Sequence, residues 1–371
     1  MLSRFVARTR GFWLASVVVA IGALVGICGM NLVSAAKPGG GGGGAHSSLI
    51  LYSTYKVPTT IYQMFEDGTS KTAALPPGVL GVPSSGTYGG SRWWLAADID
   101  PDTGFSEVFA FRGDGSSYVQ LTSLGADGIE AGDQPRWSND LFDSFVTTHA
   151  GMDSDQDGFN ETYVVRLPIG GAGVAAIESG LAPRLTGADC EFLLAMPPVS
   201  PGDDSAYAGQ YACSSDPSKL AYLVNNLDAN GGTIDSTIWV RILAENPNDP
   251  PFDVPIHTAA KLKLATWSHD DSRIAFYTLN TSLWGGVWTI NPDGSGLVKL
   301  KANSGTMSYR ASYWSPNSSE LLLLTIKDRG FGVWYYNLAR MPASGGSLTV
   351  LTNDLAQSLG KSPEAWVPLS P

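Results

Sequence analysis

The sequence predicts an all-β fold: a six-bladed β-propeller of four-stranded blades, closed by a C-terminal strand that pairs with the first blade. Three observations predict it. An aromatic–Ser phrase recurs as Thr266-Trp267-Ser268-His269-Asp270 before Ile274-Ala275-Phe276, and as Tyr313-Trp314-Ser315-Pro316-Asn317 before Leu321 to Leu324. A fainter copy is Arg136-Trp137-Ser138-Asn139-Asp140 before Phe145-Val146. Each copy leads into further β-rich runs, so four-strand units repeat at about 40–50 residues, the period of propeller blades. Finally, 43 glycines, 23 prolines and only 15% charged residues suit short strands joined by tight turns, not a helical bundle.

The units follow in order. Unit one has strands at 49–53 and 60–65 before the turn Asp67-Gly68; unit two has strands at 92–97 and 107–111, the turn Asp114-Gly115, and a strand at 119–122. Unit three has Trp137 and strands at 144–147 and 162–165. Unit four has strands at 219–224 and 237–242, preceded by a long insertion from Pro197 to Pro217. Unit five has Trp267, strands at 274–277 and 287–290, the turn Asp293-Gly294 and a strand at 297–300; unit six has Trp314, strands at 321–325 and 332–336, the turn Gly345-Gly346 and a strand at 348–352. Asp-Gly and Gly-Gly supply the positive φ that tight hairpin turns demand. The length of unit four leaves seven blades as the alternative count.

Unit one lacks an aromatic–Ser segment, whereas the C-terminus carries Pro363-Glu364-Ala365-Trp366-Val367-Pro368, which resembles the first strand of a further unit. Residues 364–367 are therefore expected to form the innermost strand of the blade containing residues 49–53, which removes an open sheet edge. Trp137, Trp267, Trp314 and Trp366 are read as packing between neighbouring blades.

Residues 1–36 precede the fold. Arg4, Arg8 and Arg10 head an apolar run from Phe12 to Met30, and Val33-Ser34-Ala35 offers a small-x-small cleavage site. This is a secretory signal peptide or, given its length, an uncleaved membrane anchor through residues 12–33. Either way the chain is expected to be exported, to a periplasmic or extracellular location. Residues 37–46 with six consecutive glycines form a flexible tether, and residues 47–371 the propeller. In an oxidising compartment Cys190 and Cys213 are expected to pair as a disulfide. A net charge of −11 leaves no basic face for a nucleic-acid backbone.

The Trp-Ser-Pro-Asn and Trp-Ser-His-Asp-Asp phrases, with downstream Asp-Gly and Leu-Thr, resemble the repeats of TolB-like (WD40-like) β-propellers over residues 47–368. The resemblance implies a propeller of the exported TolB type. It departs from TolB itself, which carries an α/β domain where this chain has the glycine tether.

One segment carries metal chemistry: Asp153-Ser154-Asp155-Gln156-Asp157-Gly158-Phe159-Asn160-Glu161. Alternating carboxylates around a glycine turn offer oxygen ligands to a hard cation, favouring Ca²⁺; unneutralised, they repel one another. Val164 at the twelfth position excludes an EF-hand. The loop resembles the calcium loops of integrin α-subunit propellers, Asp-x-Asp-x-Asp-Gly-x-x-Asp, with Glu replacing the last Asp. That resemblance implies ligation by Asp153, Asp155, Asp157, Glu161 and the Phe159 carbonyl. The acidic runs at 98–102 and 228–232 read as hairpin loops.

No Gly-x-Ser-x-Gly elbow occurs, and His46, His149, His257 and His269 have no zinc-like spacing. The expected role is therefore not enzymatic but that of a monomeric binding platform for an envelope protein or glycan, with calcium structural and the 197–217 insertion as the recognition feature. The alternative is a propeller-based carbohydrate-active enzyme, a glycosidase or lyase.

Overall fold

The central strands are apolar at consecutive positions because each blade is walled on both faces. In a strand, successive side chains point to opposite sides, so one run such as Leu321-Leu322-Leu323-Leu324 serves two interfaces. Leu321 and Leu323 pack toward one neighbouring blade, and Leu322 and Leu324 toward the other. Residues 93–96 divide the same way, Trp93 and Leu95 to one side, Trp94 and Ala96 to the other.

The computed structural model describes residues 46–54, 60–73, 84–88, 91–112, 117–131, 135–137, 146–152, 161–168, 176, 179–180, 184–195, 210–216, 218–227, 233–243, 250–279, 285–330, 333–353 and 361–369. Their strands form six sheets in chain order. Blade 1 holds β1 (Ser48–Thr54), β2 (Thr60–Phe65) and β3 (Thr72–Ala73). Blade 2 holds β4 (Ser84–Tyr88), β5 (Ser91–Ile99), β6 (Ser106–Arg112) and β7 (Tyr118–Gln120). In blade 3 the first strand is split into β8 (Glu130–Ala131) and β9 (Arg136–Trp137), both paired with β10 (Val146–Met152); β11 (Glu161–Leu167) and β12 (Glu191–Ala195) follow.

Blade 4 comprises β13 (Tyr211–Cys213), β14 (Lys219–Leu227), β15 (Thr233–Ile242) and β16 (Phe252–Ala259). Blade 5 comprises β17 (Leu262–Trp267), β18 (Ile274–Thr278), β19 (Gly286–Ile290) and β20 (Val298–Ala302). Blade 6 comprises β21 (Met307–Trp314), β22 (Glu320–Asp328), β23 (Trp334–Pro342) and β24 (Thr349–Val350). The last strand, β25 (Lys361–Pro368), returns to blade 1 and pairs antiparallel with β1, Trp366 opposite Ile50. This is the expected closure, and it settles the count at six.

Six apolar clusters fill the six interfaces between consecutive blades, including the one joining blade 6 to blade 1. The phrase tryptophans anchor them. Trp267, Trp314 and Trp366 are buried, each against the preceding blade. The Trp314 indole N–H donates to the Thr266 carbonyl at 3.2 Å, and that of Trp366 to Ser48 Oγ at 2.8 Å. The side chain of Trp137 lies outside the described residues. The glycine turns also hold: Gly68 and Gly294 both have φ of +84°, and Asp67 and Asp293 each accept the backbone N–H two residues on at 2.9 Å.

Two expectations are corrected by the packing. Cys190 and Cys213 are not joined by a disulfide. They belong to different walls: Cys190 packs between blades 2 and 3, and Cys213 between blades 3 and 4, so a bridge would have to pass through blade 3. The stretch from Pro197 to Pro217 is not wholly an insertion either. Its last part contains β13, the first strand of blade 4, while residues 196–209 and 217 lie outside the described residues.

Candidate functional site

The phrase turns share one hydrogen-bond pattern. After Trp267, the Asp270 carboxylate accepts the Ser268 hydroxyl at 2.6 Å, and the Ser272 N–H and hydroxyl at 3.1 and 2.8 Å. After Trp314, Asn317 Oδ1 accepts the Ser315 hydroxyl at 2.8 Å, and the Ser319 N–H and hydroxyl at 3.1 and 2.7 Å. After Cys213, Asp216 accepts the Ser218 N–H and hydroxyl at 2.9 and 2.6 Å. Such local side-chain bonds hold a tight turn. Cys213-Ser214-Ser215-Asp216 is thus a fourth copy of the phrase with Cys in the Trp position, and the sequence reading missed it because that reading keyed on the ring. The shared Ser-x-Asp/Asn-x-Ser spacing was the signal that could have found it.

Neighbouring turns interlock. Asp271, at a φ of +55°, reaches back to the blade 4 turn. Its carboxylate accepts the Ser215 N–H at 2.9 Å, the Asp216 N–H at 3.0 Å and the Ser215 hydroxyl. Ser318, the equivalent residue of blade 6 at a φ of +59°, accepts the Asp270 N–H at 3.2 Å. Each turn therefore caps the N–H of the third turn residue in the blade before it.

The series stops at the seam. Blade 1 takes its first strand from the C-terminus and its second from the start of the propeller, so it has no phrase turn to place against blade 6. Among the described residues the Asn317 N–H, equivalent to those of Asp216 and Asp270, has no acceptor. A cleft of about 240 Å³ occupies this position, lined by Ser47, Glu66, Asn317, Glu320, Arg340 and Trp366 among others. Arg340 donates to Glu320 at 2.9 Å, yet its buried Nε has no partner among the described residues. Glu66 accepts the Ser47 and Ser48 backbone N–H groups at 2.9 and 3.2 Å. Burial alone would raise the Glu66 pKa; these bonds and the nearby His46 outweigh it and hold the carboxyl below its ordinary value. The wall is braced by His46, stacked on Phe65 at 4.0 Å.

Of the expected calcium ligands, Asp153, Asp155, Asp157 and Phe159 lie outside the described residues. Glu161 opens β11 directly opposite Met152, the last residue of β10, so the acidic segment links two paired strand ends. Among the described residues no group of three or more His, Cys, Asp or Glu side chains is placed to hold a metal. The acidic run at 98–102 spans the end of β5 and the turn after it, with Asp100 accepting the Asp102 N–H at 3.0 Å; residues 228–232 lie outside the described residues. Fully buried Glu107 was not singled out by sequence. It accepts the Thr122 hydroxyl at 2.6 Å and the Leu124 and Gly125 N–H groups at 2.9 and 2.7 Å, pinning the crossover from blade 2 to blade 3. Residues 12–33 lie outside the described residues, among which no helix is long and apolar enough to cross a membrane.

No family model matches the chain, and no curated protein matches it. Solved structures do. A putative TolB from Agrobacterium tumefaciens is 11% identical over 88% of this chain and 99% of that chain, with a TM-score of 0.51. Hydrazine synthase of Kuenenia stuttgartiensis is 11% identical over 88% of this chain and 47% of that chain, also with a TM-score of 0.51. This chain thus spans about half the length of the latter. An oligogalacturonate lyase in complex with manganese is 14% identical over 83% of this chain and 74% of that chain, with a TM-score of 0.49. The fold is that of a TolB-like repeat propeller. The expectation that the chain is not an enzyme is corrected: solved structures of this fold include enzymes such as hydrazine synthase, so the fold does not exclude catalysis.

Proposed function

We propose that the chain is an exported β-propeller that binds an envelope protein or glycan, with Ca²⁺ held by the loop from Asp153 to Glu161. The observation that carries the binding role is the seam cleft. It is lined by Asn317 and Arg340, which carry donors that no described residue engages, and unsatisfied polar groups on a folded scaffold favour a ligand that completes them. Binding of the full-length protein in mild detergent to glycan and peptide arrays tests it: saturable binding supports the role, and none on either array refutes it.

The calcium reading rests on four carboxylates in nine residues between strand ends that pair at Met152 and Glu161. Asp153, Asp155, Asp157 and Glu161 would supply side-chain oxygens and Phe159 its carbonyl. Chelator is expected to lower the melting temperature and added calcium to restore it, with Asp155→Ala removing the dependence. Superimposable melting curves with chelator and with calcium refute it.

A further inference from the structure

We infer that the seam cleft is a docking site for the carboxylate of an acidic side chain presented by a peptide segment of the partner. This rests on the binding role proposed above and specifies its chemistry. The ring itself supplies the template. In blade 4 the corresponding position is filled by a carboxylate, that of Asp271, lying on the N–H groups of Ser215 and Asp216. In blade 5 it is filled by the Ser318 hydroxyl on the Asp270 N–H. At the seam the same turn geometry recurs, with the Ser315–Asn317–Ser319 bonds intact, but blade 1 has no turn and no described residue supplies the oxygen that would follow.

Asn317 and Arg340 both line this gap. Among the described residues the Asn317 N–H has no acceptor and the buried Arg340 Nε has none, although another guanidinium nitrogen holds Glu320. A guanidinium beside a backbone N–H is the chemistry that recognises a carboxylate. The acids lining the cleft are already engaged, Glu320 by Arg340 and Glu66 by the backbone of Ser47 and Ser48. One difference weakens the site relative to its template: Pro316 stands where blade 4 has Ser215, and proline has no N–H to offer.

That difference supplies the test. Full-length protein in mild detergent is titrated with N-acetyl-aspartate N-methylamide, following the Asn317 amide and the Arg340 Nε–H by NMR, with the asparagine analogue as the neutral control. Saturable shifts of both signals with the aspartate probe alone are expected. Asn317→Asp keeps the turn, since aspartate occupies this position in blades 4 and 5, but sets a like charge beside the ligand; it should weaken binding about tenfold or more, the scale of one hydrogen bond to a charged group. Pro316→Ser restores the second turn N–H and should tighten binding by a similar factor. Equal shifts with both probes, or affinities unmoved by both substitutions, overturn the inference. Array binding that shows no preference for acidic peptides overturns it while leaving the platform role standing.

Discussion

Replacing Trp366 with alanine should come close to opening the ring. The side chain is 4% exposed and sits in the cluster between blades 6 and 1, with Ile50, Met64, Leu322 and Leu338. Nearly all its apolar surface is therefore removed from water, about 200 Å² for a tryptophan, or about 5 kcal/mol at 25 cal/mol per Å². The truncation also strands the buried Ser48 hydroxyl that the indole N–H engages at 2.8 Å, a further cost of about 1–3 kcal/mol. Because the walls relax into part of the space, the net loss should be about 4–6 kcal/mol, against a typical domain stability of about 5–15 kcal/mol. Trp366→Phe keeps most of the ring and should lose only about 1–2 kcal/mol. Equilibrium urea unfolding of the full-length protein measures both, and hydrogen exchange locates the effect: amides of β1, which pair with β25, should lose protection before those of β14 or β22. A loss below about 1 kcal/mol for Trp366→Ala, or uniform loss of protection around the ring, would refute the idea that this strand holds the propeller closed.

The remaining predictions concern the turns and the thiols. Asp271→Ala removes a partly buried carboxylate from two backbone N–H groups of the blade 4 turn and should cost about 1.5–3 kcal/mol in urea unfolding; a change within 0.5 kcal/mol, about the size of an ordinary surface substitution, would show that the turns do not interlock. The Lys219 ammonium first, and then the Ser218 hydroxyl and N–H, hold the Asp216 carboxyl down at about 2. A depressed folded pKa contributes stability above the unfolded value of about 3.9, and that stability is lost as pH falls from there through about 2. The urea midpoint should fall over this window in wild type and fall less in Asp216→Asn; identical profiles would contradict the assignment. Burial first, and then the charges of Asp189, Asp127 and Glu107, push the Cys190 thiol up to about 12, so native protein should resist alkylation there at pH 8. Mass spectra of a non-reduced digest should contain no peptide linking Cys190 to Cys213, and finding one would overturn the two-wall placement.

Much of the fold was legible because propeller blades are written in local chemistry. The Trp267 and Trp314 phrases, the Asp67-Gly68 and Asp293-Gly294 turns and the spare segment around Trp366 each specify a structure within a few residues, and their repetition gives blade number and closure. First strands without the tryptophan were harder to read. Blade 4 carries Cys213 in its place, and blade 2 begins with β4, Ser-Ser-Gly-Thr-Tyr, which has no phrase at all.

The candidate site divides along the same line. By itself the sequence determined a six-bladed, two-faced β-repeat with its seam between Trp366 and Ser48, because strand alternation and turn geometry depend on neighbouring residues. Only the tertiary structure decided that Cys190 and Cys213 lie on opposite walls of blade 3, that Asp271 caps a turn 56 residues earlier, and that no described residue does the same for Asn317. Those relations join residues whose separation in the chain carries no period. They arise from the angle at which one blade meets the next, which side-chain packing fixes and a local pattern does not record.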